Sequence, residues 1–192
     1  MMSDMDKVVF DIETKNWFDE VGGREHLDRL DVSVVGVYSY ADDAYRAYDE
    51  TEFGELGKAL QRANPLIGFY SKQFDVPVLA KYFNFSLAAV PHFDILEEVQ
   101  KVLGRRVGLG VLAEANLGEG KFGKGADAVD MYRRGDMDAL KRYCLQDVKV
   151  TKELFDAIRR DGYLWVPRRG MPQMEKAEIR YEELEEKQNA LL

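Results

Sequence analysis

The stretch Val8-Val9-Phe10-Asp11-Ile12-Glu13-Thr14 decides how this chain is read. Val8, Val9 and Phe10 are β-branched or aromatic, as a buried strand prefers. Asp11 and Glu13 follow two residues apart, and in an extended strand residues i and i+2 project from the same face. Two carboxylates held that close raise one another's pKa unless a cation neutralises them. Converging oxygen ligands are what Mg²⁺ or Mn²⁺ takes. A solvated strand end would carry the same Asp-x-Glu, so the decision passes to the rest of the chain.

Two further stretches bear on it. Ile67-Gly68-Phe69-Tyr70-Ser71-Lys72-Gln73-Phe74-Asp75 is an apolar run, a glycine turn and then Phe-Asp opening a segment of helical spacing. Tyr143-Cys144-Leu145-Gln146-Asp147 lies in a long amphipathic segment, where Tyr143 and Asp147 are four apart and share a helical face. Leu140, Tyr143, Cys144, Asp147, Val148, Thr151, Leu154, Phe155 and Ile158 form one continuous stripe. A tyrosine on such a stripe is ordinarily core. A carboxylate there needs a partner, and Asp11 and Glu13 can partner Asp147 only through a cation.

Asp-x-Glu, Phe-Asp and Tyr-x-x-x-Asp, in that order, resemble the motifs of the DEDD superfamily of 3′–5′ exonucleases, which have a ribonuclease H-like fold. The tyrosine four residues before the last aspartate points to its DEDDy branch; the histidine branch places His where this chain has Arg142. The match runs from about Val8 to Phe155 and is similar to proofreading domains of family B DNA polymerases and to stand-alone exonucleases of that fold. The resemblance implies an α/β domain with a mixed sheet flanked by helices. It implies two divalent cations, Mg²⁺ or Mn²⁺, held by Asp11, Glu13, Asp75 and Asp147, with Asp11 bridging both. It also implies that Tyr143 orients a water for phosphodiester hydrolysis of single-stranded nucleic acid, DNA or RNA, from a free 3′ end. Relatives commonly carry asparagine five residues before the second-motif aspartate, where this chain has Tyr70. Two other readings use the same fold: a catalytically silent nucleic-acid-binding or protein-interaction module, and a ribonuclease H-like endonuclease.

Composition is compatible with that reading. The 192 residues suffice for one sizeable α/β core, and 46% hydrophobic with 32% charged residues is an ordinary globular balance. No apolar run reaches the ~20 residues of a membrane span, and the single Cys144 suits a reducing cytoplasm. A net charge of −8 argues against a broad, sequence-blind nucleic-acid binder. It does not exclude a nuclease, because four carboxylates would be neutralised by metal and a further acidic group clusters after Gln173.

Along the chain, Lys15–Leu30 reads as an irregular loop over the site, with His26 a solvated loop histidine. Val32–Tyr40 and Ala44–Tyr48 form a hairpin. Thr51 is expected to cap a helix to about Ala63, ended by Asn64-Pro65. Leu66–Phe69 is a strand, Phe74–Tyr82 a helix, and Asp94 the cap of a helix to about Leu103. Lys121 and Lys124 lie in a glycine-rich link that is no nucleotide-binding loop. Asp127–Arg134 and Asp136–Arg160 read as helices. The domain is expected over 1–170. From 171 to 192, Met174, Ala177, Tyr181, Leu184 and Leu191 fall at helical steps on a charged background, giving an expected amphipathic C-terminal helix for self-association or a partner.

Overall fold

The computed structural model describes residues 6–118 and 125–181. Its centre is strand β1, Asp6–Thr14, which lies in the middle of a five-stranded sheet ordered β3-β2-β1-β4-β5. Strand β2 (Val32–Ser39) runs antiparallel to β1 and pairs with β3 (Ala44–Tyr48) as a hairpin. Strands β4 (Ala63–Gly68) and β5 (His92–Asp94) run parallel to β1 on its other side. This mixed five-stranded sheet flanked by helices is the ribonuclease H-like α/β arrangement expected from the motifs.

The alternation of β1 sorts its side chains to two faces. Val8, Phe10 and Ile12 join Val35, Val37 and Leu66 under helix α2 (Phe53–Gln61) and helix α3 (Asp75–Leu79). Val9 and Ile67 face the opposite layer. That layer contains α4 (Ile95–Leu103), α5 (Leu109–Leu117) and the long α7 (Met137–Asp161). Completing the helices are the short α1 (Phe18–Val21) and α6 (Gly125–Arg133). Fully burying side chains such as Phe10 and Phe155 contributes roughly 1.5–3 kcal/mol each.

Helix α7 has the limits and cap that its sequence announces. The Asp136 carboxylate accepts from Ala139 N at 3.1 Å, and Gly162 ends it at φ 76°. It lies tightly on the sheet because β2 has glycine where it crosses. A Cβ on Gly36 would stand 2.8 Å from Val148 Cγ2 and 3.0 Å from Cys144 Sγ. Gly36 is the register partner of Asp11. The missing side chain therefore lets α7 settle beside the first carboxylate.

Three expectations need correction. The helix before Pro65 ends earlier, at Gln61, and Asn64-Pro65 lies inside β4, where Pro65 offers no ladder N–H and the pairing with β1 shifts register. Asp49, not Thr51, caps the turn ahead of α2, accepting from Thr51 N. Met174–Glu178 is not helical: it is strand β7, antiparallel to β6 (Tyr163–Pro167). A paired edge satisfies its backbone, and Ala177 and Ile179, two apart, bury against the helices as a strand's period requires. Residues 182–192, with Leu184 and Leu191, and the lysines at 121 and 124 lie outside the described residues.

Candidate functional site

The four carboxylates singled out in the sequence are brought to one place, at the end of β1. Asp11 and Glu13 come from β1 itself, Asp75 from the first residue of α3, and Asp147 from α7. Glu13 is only 7% exposed and Asp75 only 3%. The backbone N–H groups of Asp75 and Ile12 donate to the Asp75 carboxylate, which fixes it against the strand between the other two acids. Among the described residues none of the four forms an ion pair.

Their protonation reflects this crowding. Burial, then the charges of Asp75, Asp147 and Glu13, push the Asp11 carboxyl well above the usual range. Glu13 is raised by burial and by Asp147 and Asp75. Burial lifts Asp75 to about 7, with Asp94 adding to it, and lifts Asp147 to about 6. Buried acids without a counter-charge resolve this conflict by binding either protons or a cation. The donor set, oxygen-rich and converging, fits a hard divalent cation.

Tyr143 shares the α7 face with Asp147 and is half-buried. Burial and the charges of Asp147, Glu13 and Asp11 raise its phenol above the ordinary tyrosine value. The hydroxyl therefore stays protonated at neutral pH, beside the acids whose charges it feels. Cys144, placed by the sequence on the apolar stripe of the same helix, is fully buried. Its Sγ also donates to the Asp11 backbone oxygen at 3.5 Å, with Asp11 Oδ2 at 3.9 Å. Ligand atoms of Asp11, Glu13 and Cys144 all lie within 4.8 Å of one another. The available signal was its position three residues before Asp147, on the same helical face.

Beside Glu13 opens a cavity of about 540 Å³. Trp17 and Phe18, in the loop read as polar and irregular, form one wall, and Tyr70 and Phe74 another. The Phe18 and Phe74 rings lie 5.7 Å apart. Arg24 sits 4.4 Å from the Phe18 ring centroid. Arg133 of α6 stands 3.9 Å over Trp17 and pairs with Glu20, so α1 is strapped to α6. His26 is half-buried against Gly22 and does not line this cavity.

Tyr70 shows why asparagine is at home at its position. Its φ is 63°, in the left-handed region that asparagine enters readily and other residues occupy at roughly 1–2 kcal/mol. Asp94 holds the turn there: its carboxylate accepts from Tyr70 N and Lys72 N, both at 3.0 Å, and from Glu97 N at 3.2 Å as the α4 cap. Arg106 lies 4.1 Å over the Tyr70 ring and donates to Gln73. His92, its pKa lowered by burial to about 4, bonds Ser71 at 2.8 Å and supports the same turn from below. Its role is structural.

Comparison with known proteins bears on the fold and the superfamily. The family B DNA polymerase from the hyperthermophilic archaeon Pyrobaculum calidifontis superimposes with a TM-score of 0.60 at 20% identity, over 81% of this chain and 24% of the polymerase. The chain thus spans about a quarter of that protein, and the likeness is one of fold. Among curated proteins nothing matches. A family model described as the RNase_H superfamily matches residues 8–159, from the first strand through all four clustered acids and into the last turn of the helix that carries Asp147. The chain belongs to the RNase_H superfamily.

Proposed function

We propose that this protein is a metal-dependent 3′–5′ exonuclease of single-stranded nucleic acid, of the DEDDy type. One observation carries the reading: four carboxylates from three elements are gathered without a cationic partner among the described residues, each pushed toward the protonated state. A structural role would favour apolar groups there, since uncompensated buried charge destabilises. Superfamily membership supports nucleic-acid chemistry, and Tyr143 four residues before Asp147 supports the branch.

Asp11, Glu13, Asp75 and Asp147 would hold the divalent ions. When bound, such ions lower the pKa of water and stabilise the oxygens of an in-line phosphoryl displacement. The protein's own groups do the rest. The Tyr143 hydroxyl, kept protonated by its surroundings, donates to and orients the attacking water rather than removing its proton. Trp17, Phe18, Tyr70 and Phe74 offer ring faces to a base, and Arg24 and Arg106 bring positive charge to the rim of an acidic centre.

The test is degradation of 3′-labelled and 5′-labelled single-stranded DNA and RNA with Mg²⁺ or Mn²⁺. Stepwise shortening from the 3′ end, with nucleoside 5′-monophosphates released, is expected. Circular single strands cut as fast as linear ones would establish the endonuclease reading instead. Inertness on all substrates would leave the silent binding module.

A further inference from the structure

The hairpin β6–β7 presents two very different faces. Leu164, Val166 and Ala177 are fully buried. The other face carries Tyr163, Trp165 and Pro167 on β6, with Met174 and Lys176 opposite them. Trp165 is 38% exposed and Met174 48%. The rings of Tyr163 and Trp165 meet edge-on at 5.5 Å, and Lys176 stands 3.8 Å over the first and 5.1 Å from the second. This platform is held in place by its backbone: Trp165 N donates to Asn116 Oδ1 at 2.7 Å and Asn116 Nδ2 donates to Trp165 O at 2.8 Å. At the tip, Arg168 and Arg169 are exposed, and Arg169 has no ion-pair partner among the described residues.

The hairpin is connected to the acidic site by contact. Arg106 lies over Tyr70, which lines the cavity beside Glu13. Its chain neighbour Arg105 donates to Pro167 O at 2.7 Å and to Glu175 at 2.9 Å. Arg168 follows Pro167. Arg106, Arg105 and Arg168 therefore run from the cavity toward the platform, the last two both paired with Glu175, whose second oxygen lies 3.6 Å from Arg168 Nε, and Arg169 follows at the tip. Glu178 closes the platform's far end, opposite Tyr163.

We propose that the outer face of β6–β7 binds the single-stranded segment of a substrate 5′ to its reacting end, stacking bases on Trp165 and Tyr163 and placing phosphates against Arg168, Arg169 and Lys176. The proposal rests on the nuclease reading of the site and extends its footprint. Ring faces interleaved with cations are the chemistry of sequence-tolerant single-strand binding. Trp, Tyr, Met and Arg also populate protein-docking faces, but lysine is depleted at the core of such faces, and here Lys176 stands over both rings at the centre.

The test compares wild type with Trp165→Ser and Arg169→Glu, using a trinucleotide and an oligothymidylate or oligouridylate of about 12 nucleotides, within the range of known single-strand site sizes. The expected result is a KM for the long substrate raised about tenfold in each variant, with kcat, trinucleotide turnover and Tm unchanged. Arg169→Glu should also flatten the salt dependence of long-substrate binding. Equal kinetics of variants and wild type at both lengths would overturn the proposal, as would an equal loss at both. If neither length is hydrolysed by wild type, the nuclease reading fails on its own. Fluorescence anisotropy with the labelled long strand then decides the hairpin: binding weakened by Trp165→Ser sustains it, and unchanged or absent binding overturns it. A dimer that dissolves on Trp165→Ser would assign the face to a second copy and likewise overturn it.

Discussion

The two halves of β1 obey opposite rules. Val8, Val9 and Phe10 are at most 1% exposed, packed between helices on both faces, and every group there is satisfied by apolar neighbours. From the very next residue, the same strand puts Asp11 and Glu13 among two more acids, with no cation beside them among the described residues. The first half is stable as it stands. The second is a site whose folded form is costly unless protons or metal arrive, which is how function is usually set against stability in one fold. Substitutions that separate the halves should therefore change activity and stability in different directions.

Replacing an acid of the proposed metal site gives the largest effect. Asp147→Asn should lower turnover by more than about a thousandfold, since the lost charge helps hold ions that supply several kcal/mol. In chelator the same variant should be more stable than wild type at neutral pH, because a half-buried acid raised to about 6 has been neutralised. Steady-state kinetics and thermal melts check both signs; a variant both active and less stable would join the two halves into one ordinary core.

Tyr143→Phe comes next. It keeps the ring and its packing but removes the donor, so kcat should fall roughly 30- to 1000-fold, the equivalent of about 2–4 kcal/mol, with KM nearly unchanged. An unaltered rate would return Tyr143 to the core.

The pH dependence sharpens the contrast further. The Asp75 carboxyl, at about 7 when folded against an ordinary 3.8, binds its proton more tightly in the folded state. Its contribution is complete below pH 3.8 and is lost as pH rises through about 7. On the order of 4 kcal/mol is at stake at Asp75, with Asp147 acting in the same direction up to about 6. In chelator, Tm should fall between about pH 5 and pH 8, and Mn²⁺ should restore most of it at pH 8. A Tm flat across that window, in chelator, would mean the acids are not in conflict.

The smallest effect belongs to Tyr70→Asn. Relief of the positive φ and loss of the Arg106 stack, about 0.5–1 kcal/mol, oppose one another. Tm should move by no more than about 2–4 °C, while KM rises with the loss of a ring from the cavity. A large drop in Tm would show that Tyr70 is held for the fold rather than for the substrate.

These residues also show what the sequence disclosed. Two pairs were legible because periods of two and 3.6 place Asp11 with Glu13 and Tyr143 with Asp147 before any tertiary contact is known, whereas Asp75 was singled out only by the resemblance of the motif order. The cap at Asp94 and the limits of α7 followed from local chemistry in the same way. Trp17 and Phe18 were not legible as cavity walls, because their position depends on Arg133 reaching across from α6 to Glu20 and Trp17. Met174–Glu178 misled for a related reason: its charged, loosely periodic sequence suits a helix, and only pairing with β6 makes it a strand. Contacts between residues far apart in the chain decide such segments.

Direct measurement of Mn²⁺ binding by titration calorimetry tests the central claim, that the acidic half of β1 is a metal site. At pH 7.5, wild type should bind Mn²⁺ with release of protons, since the carboxyls raised by burial must give them up. Asp11→Asn should abolish or greatly weaken that binding while leaving the melt in chelator no worse than wild type. Wild type that binds no Mn²⁺, or Asp11→Asn that binds it equally well, would contradict the account.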